Sequence, residues 1–342
     1  ETSSPLEMYC SQLCSQQRGY PLYVPEPQRN LSPLYRAAGV AIGDVGMVTP
    51  EGIWDFCFNI FLPADHAIHQ DGVPNDFVPL EPCAESDVHT LDYEAGSFVS
   101  SATVWTNDPA NFQGFPGGEF HFTCQAPKGA LLALPFGSQL KKLAKRKEEI
   151  RRYAAKNAES WYRYINGTTG RRMANGELYL ITGSEKTSAG GMATFQNLSP
   201  GAEFSLAFKP FPETTRYYFN YARAQTKTFS ASEQDGGQLT NTVFLHGFTI
   251  SLGEGILGQL FANVGISQIS DSQSRKTQGK FFPFCDQGSS SIFPLSLNFF
   301  TGGGGGGDSG TRYTTPHHDD EVTLSELSAA AKVRNCVRCG LD

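Results

Sequence analysis

The chain has 342 residues, of which 39% are hydrophobic, so it can form the core of one large domain or of two ordinary ones. Its formal net charge of −7 at pH 7 argues against a dedicated nucleic-acid-binding protein, which would need a basic surface. No apolar run approaches the roughly 18–20 residues that a membrane-spanning helix needs, so the sequence predicts no transmembrane segment.

Residues 1–36 are polar and rich in proline, and they predict an N-terminal strap that lies extended on the core. Residues 6–13 are compatible with a short helix. The stretch from Tyr20 to Pro27 cannot be helical, because each proline disfavours α geometry in the residue before it.

Residues 37–265 are predicted to form a β-rich core. The 25 Phe, 13 Tyr and 36 Gly favour strands joined by many turns. The core begins with a hairpin, whose arms are residues 38–48 and 53–62 and whose turn is Thr49–Gly52. Further strands follow at a spacing of about ten residues, which suits antiparallel sheets. They are predicted at residues 98–106, 118–124, 130–134, 177–182, 191–196, 202–209, 216–224 and 242–252.

Residues 138–166 are predicted to form one long amphipathic helix within this core. Apolar residues recur at steps of three and four, which places them on one helical face. They are Leu140, Leu143, Ile150, Ala154, Ala158, Trp161 and Ile165. The predicted fold class is therefore α+β, with antiparallel β-sheets packed against this helix and a two-sheet sandwich as one arrangement.

After Gly265 the composition changes, since Ser, Gln and Gly increase and residues 302–307 are all glycine. No amphipathic period continues through this region. Residues 266–342 are therefore predicted to be a low-complexity, mostly disordered tail.

The predicted helix concentrates positive charge. Between residues 139 and 166 there are nine Lys or Arg and three Glu, a local charge of +6 that leaves −13 on the rest of the chain. The plainer interpretation is a solvated face that pairs with acidic neighbours. The sharper one is a docking surface for a protein partner or another anionic surface, with Lys141, Lys145, Arg151 and Arg152 as its contact residues.

Asp65, His66, His69 and Asp71 form the densest cluster of residues able to bind a hard metal ion. Two histidines three positions apart on a loop can reach one metal, and a carboxylate can complete the site. An exposed polar loop explains the same pattern without a metal, and we predict no metal site here.

Two short motifs suggest phosphate binding, but neither has the context that it requires. Gly253–Gly258 matches G-x-G-x-x-G, yet low-complexity sequence follows instead of the parallel strand of a dinucleotide-binding unit. Lys186-Thr187 lacks the preceding glycine of a P-loop. We therefore predict no cofactor, and no catalytic residue is recognisable.

Several stretches resemble a family of uncharacterised proteins from mushroom-forming (agaricomycete) fungi. Together they cover most of residues 15–270. They are GYPLYVPEP at 19–27, LSPLYRAAGVAIGDVGMVTPEGIWDFCFNIFLPADH at 31–66, residues 157–167, GELYLITGSEKTSAGGMATF at 176–195 and GFTISLGEGILGQLF at 247–261. The resemblance implies a fungal, cytoplasmic protein, and it implies no activity, ligand or site.

The leading functional prediction is a non-enzymatic cytosolic binding or sensing module that uses the basic helix face and the flexible tail. The eight scattered cysteines suit reduced thiols in the cytosol. One alternative is a membrane-active β-rich protein, because a basic helix can lie on anionic lipid. Another is an enzyme whose site the fold assembles near His66–Asp71.

Overall fold

A computed structural model describes residues 3–101, 104–106, 120–124, 126–197, 204–210, 217–220, 224–230, 238–252 and 322–326. The glycine motif at 253–258 and the predicted tail, except for residues 322–326, lie outside the described residues. The described chain is an α+β structure of antiparallel sheets with few helices, as the sequence predicts.

The described helices are α1 (Pro5–Cys14), α2 (Pro33–Ala38) and α3 (Lys147–Arg163), and a π-helical turn (Tyr164–Thr168) extends α3. The first nine strands are β1 (Tyr20–Pro21), β2 (Asp44–Val48), β3 (Trp54–Asn59), β4 (Val88–Tyr93), β5 (Ser97–Ser100), β6 (Val104–Thr106), β7 (Phe120–Cys124), β8 (Gly129–Leu134) and β9 (Ser138–Leu143). The others are β10 (Leu178–Thr187), β11 (Ala189–Phe195), β12 (Phe204–Pro210), β13 (Tyr217–Asn220), β14 (Gln225–Ser230), β15 (Asn241–Leu252) and β16 (Val322–Glu326).

These strands form three antiparallel sheets. The large sheet has eight strands in the order β1-β15-β10-β2-β3, with β16 beside β15 and with β9 and then β4 extending from β10. The inner sheet is β14-β11-β8-β5, and the outer sheet is β13-β12-β7-β6. All pairings between these named strands are antiparallel. Antiparallel neighbours can be joined by short turns, whereas parallel strands need long crossover connections.

The inner and outer sheets pack face to face as a sandwich. Phe98 on β5 lies edge-on to Phe122 on β7, with ring centroids 5.5 Å apart. Gly191 on β11 lies directly against the ring of Phe208 on β12, which leaves no room for a side chain. The other face of the inner sheet packs on α1 and on the start of β15, where Tyr9, Leu13 and Phe244 are fully buried.

The helix α3 covers one face of the large sheet. Trp161 is 1% exposed, and its ring meets Phe58 of β3 at 5.4 Å in an edge-to-face arrangement. Tyr162 donates a hydrogen bond of 2.7 Å to the carbonyl of Ile250 on β15. The predicted apolar stripe of Ile150, Ala154, Ala158, Trp161 and Ile165 is the buried face of this helix.

The predicted start of the helix is wrong, because residues 138–143 form strand β9. This strand pairs with β10 on one side and with β4 on the other. Two sets of ladder hydrogen bonds outweigh the modest helix propensity of its residues. The chain then turns at Arg146, whose φ of 62° lies in the left-handed region, and α3 begins at Lys147.

Short regular elements lie in the N-terminal strap and in the one described part of the predicted tail. The strap is extended only between its helices α1 and α2, and the first of these confirms the short helix expected at residues 6–13. In α1, Ser4 caps the helix and exchanges hydrogen bonds with Glu7 in a capping box. Within the predicted tail, Val322–Glu326 pairs with β15 as β16.

Candidate functional site

The loop that follows β3 carries the predicted cluster of metal ligands, and its key histidine already has two partners. The Nδ1 atom of His69 lies 3.0 Å from the carbonyl oxygen of Pro63, and its Nε2 atom accepts the Asn59 backbone N–H at 3.0 Å. An acceptor at one nitrogen and a donor at the other fix a neutral ring with its proton on Nδ1. Burial also lowers the pKa of His69. The side chain therefore braces the loop instead of pointing at a ligand.

The remaining members of that cluster diverge. Asp71 is exposed and pairs with Arg171 at 3.2 Å, while Arg171 also binds Asp55 on β3 at 3.0 Å. Asp65 is exposed and His66 is half-buried. Across the described residues, no three His, Cys, Asp or Glu side chains lie close enough together to hold a metal ion. In this loop Asp71 therefore pairs with Arg171, and the His and Asp side chains do not converge as a hydrolytic site would require.

A second buried acid, Asp44, is fully hydrogen-bonded as well. Its Oδ2 accepts the Tyr35 hydroxyl and the Ala41 backbone N–H, both at 2.8 Å, and its Oδ1 accepts the Asn59 amide at 2.7 Å. Burial raises the pKa of Asp44 to about 6, although these hydrogen bonds oppose the rise. Asp44 is 0% exposed, so the group closes the 35–44 loop onto the sheet and offers nothing to a substrate.

Next to this network, a cavity of about 10 Å³ lies between the strap and the large sheet, with room for about one water molecule. Tyr35, Trp54 and Thr242 contribute to its walls. The hydroxyl of Thr242 makes no hydrogen bond to the described residues, so a water there would satisfy it. The space is too small for an organic ligand.

The most tightly held charge is the ion pair between Arg18 of the strap and Glu185 of β10. Glu185 is 0% exposed, and Arg18 binds it with two nitrogens, one of them at 3.1 Å. The hydroxyl of Ser138 donates a further hydrogen bond of 2.6 Å to the same carboxylate. The guanidinium also stacks on Tyr93, 3.8 Å from the ring centre. Arg18 therefore fastens the strap across β15, β10, β9 and β4.

His246 of β15 lies beside this fastening without a hydrogen bond. It is 5% exposed, and neither ring nitrogen has a partner among the described residues. The backbone of Gly19 lies over the ring. Burial lowers the pKa of His246 to about 4, and the ammonium groups of Lys142 and Lys147 lower it further, while the backbone of Arg18 opposes them. The ring is therefore held neutral in a positive environment.

Replacing His246 with leucine is expected to reduce the loss in free energy of unfolding that wild type shows as the pH falls below 6.5. The pKa of His246 is about 4 in the folded protein and 6.5, the ordinary histidine value, in the unfolded chain, so between these pH values only the unfolded chain binds the proton readily. Wild-type stability is thus retained above pH 6.5 and falls by about 2 kcal/mol at pH 5 from this residue alone. Asp44, whose pKa is raised, makes the folded protein more stable as the pH falls, and it does so equally in wild type and variant. The measurement is therefore the difference in free energy of unfolding between the two proteins, from urea unfolding between pH 4 and pH 8. Parallel profiles would contradict this assignment.

The predicted partner-binding residues separate into two groups. Lys141 on β9 and Lys145 in the turn before α3 are exposed and have no acidic partner among the described residues. Arg151 packs over the ring of Phe248 at 5.2 Å, and Arg152 pairs with Glu148 at 3.1 Å along the helix. Of the four predicted contact residues, the two exposed lysines lie within residues 139–147, which we call the basic segment.

The basic segment contains five cations and no acid in nine residues. They are Lys141, Lys142, Lys145, Arg146 and Lys147. Arg146 is occupied by Glu149 and by the carbonyls of Glu81 and Pro82, so it anchors the segment. Burial lowers the pKa of the neighbouring Lys186 to about 8, and Lys141 contributes to that shift while Asp44 opposes it. Positive potential is thus concentrated at this end of the large sheet.

No family model matches this chain, and no curated protein matches it. Within the described residues, no helix is long and apolar enough to cross a membrane. The candidate site is therefore defined by its geometry, as a strap-fastened sheet that presents an exposed basic segment.

Proposed function

We propose that this protein is a non-enzymatic binding or sensing module that holds an acidic protein segment at its basic segment. The observation that carries the proposal is the pair of exposed lysines, Lys141 and Lys145, within a run of five cations that contains no acid. Exposed cations of this kind attract anionic partners and accelerate their association.

The surrounding scaffold supports the same proposal. Lys141 projects from a strand that is paired on both sides, and Arg146 ties the turn that follows to the loop at Glu81 and Pro82. Because the backbone is fixed before binding, little conformational entropy is lost when a partner docks. The buried acids Asp44 and Glu185 and the buried His69 are engaged in structural contacts, which favours a binding role over a hydrolytic one.

The charge balance favours an acidic protein segment over nucleic acid. The whole chain carries −7, and the basic segment carries +5, which leaves −12 on the remainder. A long polyanion would be repelled beyond the few residues of this patch, whereas a short acidic segment is not. A cytoplasmic location and membership of the fungal family that the sequence resembles belong to the same proposal, and the free thiols of Cys57 and Cys83 support the reducing compartment.

The double variant K141E/K145E is expected to bind a short fluorescent poly-L-glutamate peptide, the probe in every binding test below, at least about tenfold more weakly than wild type, because two attractive charges become repulsive. Fluorescence anisotropy at low salt measures the affinity. The matched control is R29E/R36E, which makes the same charge change at two exposed arginines outside the basic segment. Equal losses in both variants, or no binding by wild type, would contradict the proposal.

A flotation experiment with lipid vesicles distinguishes the membrane-active alternative from this proposal. Flotation with vesicles of phosphatidylcholine, with and without phosphatidylserine, is expected to leave wild-type protein in the unbound fraction at physiological salt. Flotation with the anionic vesicles together with no binding of poly-L-glutamate would replace the protein partner by a lipid surface.

A further inference from the structure

Strand β4 forms an edge of the large sheet in the part of the chain that the structure describes. It pairs with β9 on one side, and no described strand pairs with its other side. Residues 89–92 are exposed, and Leu91 is 51% exposed. Exposed edges are ordinarily blunted by charged side chains, above all lysine, by proline or by a bulge. Between Val88 and Tyr93, β4 has no lysine, proline or bulge, and Asp92 is its one acid.

The backbone groups that β4 leaves available follow from its pairing with β9. Leu143 opposes Val88, and the Ala144 N–H donates to the Asp87 carbonyl at 2.7 Å. In an antiparallel ladder, alternate residues point their N–H and C=O groups to the same side. Residues 89, 91 and 93 therefore bond to β9, and the backbone groups of Val88, Thr90 and Asp92 point away from the sheet.

We propose that β4 pairs with β4 of a second copy of this chain, antiparallel and centred on Leu91. A two-fold axis perpendicular to the sheet places each residue opposite a partner residue on the same face. Because side chains alternate between faces along a strand, an odd-numbered residue must oppose an odd-numbered one, and an even-numbered residue an even-numbered one. Centring on Leu91 places Leu91 against the partner's Leu91. It also places Thr90 against the partner's Asp92, where the free backbone groups exchange about four hydrogen bonds across the two equivalent pairs.

Charge complementarity selects this register and this partner. Thr90 opposes Lys141 on β9, so Lys141, Thr90 and the partner's Asp92 form one row on one face of the joined sheets. The long lysine side chain reaches across the small threonine to the carboxylate, and the symmetric contact repeats the attraction. A register centred on Thr90 would instead set Asp92 against the partner's Val88 and leave Leu91 opposite the partner's His89. Only the Leu91-centred register satisfies both the apolar and the charged residues.

The variant Thr90→Pro tests the pairing without removing a bond from the single chain. The Thr90 N–H points away from β9, so proline there leaves the β4–β9 ladder intact and blocks the new edge. Sedimentation velocity of the full chain is expected to show a concentration-dependent dimer for wild type and for the control Thr90→Val, and a monomer for Thr90→Pro. Circular dichroism spectra of the three proteins confirm that each is folded.

Cysteine cross-linking tests the register. Opposed residues of a non-hydrogen-bonded antiparallel pair have Cα atoms about 4.5 Å apart, within the range of a disulfide. Under mild oxidation, Leu91→Cys is expected to give a covalent dimer, while His89→Cys gives no more than wild type, which carries the same native cysteines. A wild-type protein that stays monomeric at every concentration tested overturns the inference. A dimer that persists in Thr90→Pro and does not cross-link through position 91 overturns it as well. This inference does not rest on the proposed function, and a failure of poly-L-glutamate binding leaves these readouts unchanged.

Discussion

Replacing Arg18 with methionine is expected to lower the free energy of unfolding by about 3 kcal/mol, since it leaves the buried carboxylate of Glu185 without its cation. Removing one partner of a buried ion pair typically costs about 3–5 kcal/mol. The lower end applies because the Arg18 side chain is 17% exposed, so water screens part of the interaction. Urea unfolding at pH 7 measures the loss.

Two controls identify the buried charge as the cause. Arg152→Met removes an equally long cation from a pair whose side chains are 75% and 55% exposed, and it should cost under about 1 kcal/mol. In the second, Glu185→Leu is added to Arg18→Met, which removes the uncompensated charge and should recover part of the loss. If the losses in free energy of unfolding of Arg18→Met and Glu185→Leu simply add in the double variant, the role given to this ion pair is contradicted. An Arg18→Met protein as stable as wild type would contradict it too.

Replacing Trp161 with alanine is expected to destabilise the protein by about 3–5 kcal/mol, because it opens a cavity between α3 and the large sheet. The indole packs edge-on to Phe58 at 5.4 Å and lies 5.9 Å from Tyr153, and it is 1% exposed. Loss of these contacts releases the helix from the sheet. The measurement is thermal and urea unfolding of the variant beside wild type.

The matched control for that substitution is Leu34→Ala, a large-to-small change at a side chain that is 58% exposed. Surface substitutions of this kind stay within about 0.5 kcal/mol. If Trp161→Ala cost no more than Leu34→Ala, the helix would not be a structural support of the large sheet.

The parts of the fold that the sequence predicts are those with a local signal. The apolar stripe from Ile150 to Ile165 has the helical period, and it is the face that α3 buries. The alternation in residues 53–62 likewise predicts β3. The same period extends the predicted helix over residues 138–146, because Leu140 and Leu143 fit it, yet residues 138–143 form a strand that pairs with β4 and β10. Pairings with strands about 50 residues away leave no mark in the local pattern.

The candidate site was predictable in part for the same reason. The excess of positive charge is visible in composition, so Lys141 and Lys145 are predicted as contact residues from sequence alone. The ion pair of Arg152 with Glu148 lies within α3 at an i,i+4 spacing, whereas the contact of Arg151 depends on how α3 meets Phe248 of β15. Arg18 was missed, because it lies in a polar stretch 167 residues from Glu185. The one available signal was Glu185 itself, an acid within an otherwise buried strand that required a distant cation.

If the basic segment binds an acidic protein segment through charge, as we propose, that binding must weaken as salt is added. Binding of poly-L-glutamate by the full chain is measured by anisotropy from about 20 to 300 mM salt, a range over which the screening length falls severalfold. We expect the affinity of wild type to fall steeply with salt and that of K141E/K145E to be weak and nearly flat. Wild-type binding that is insensitive to salt, or equal in the two proteins, would contradict the account.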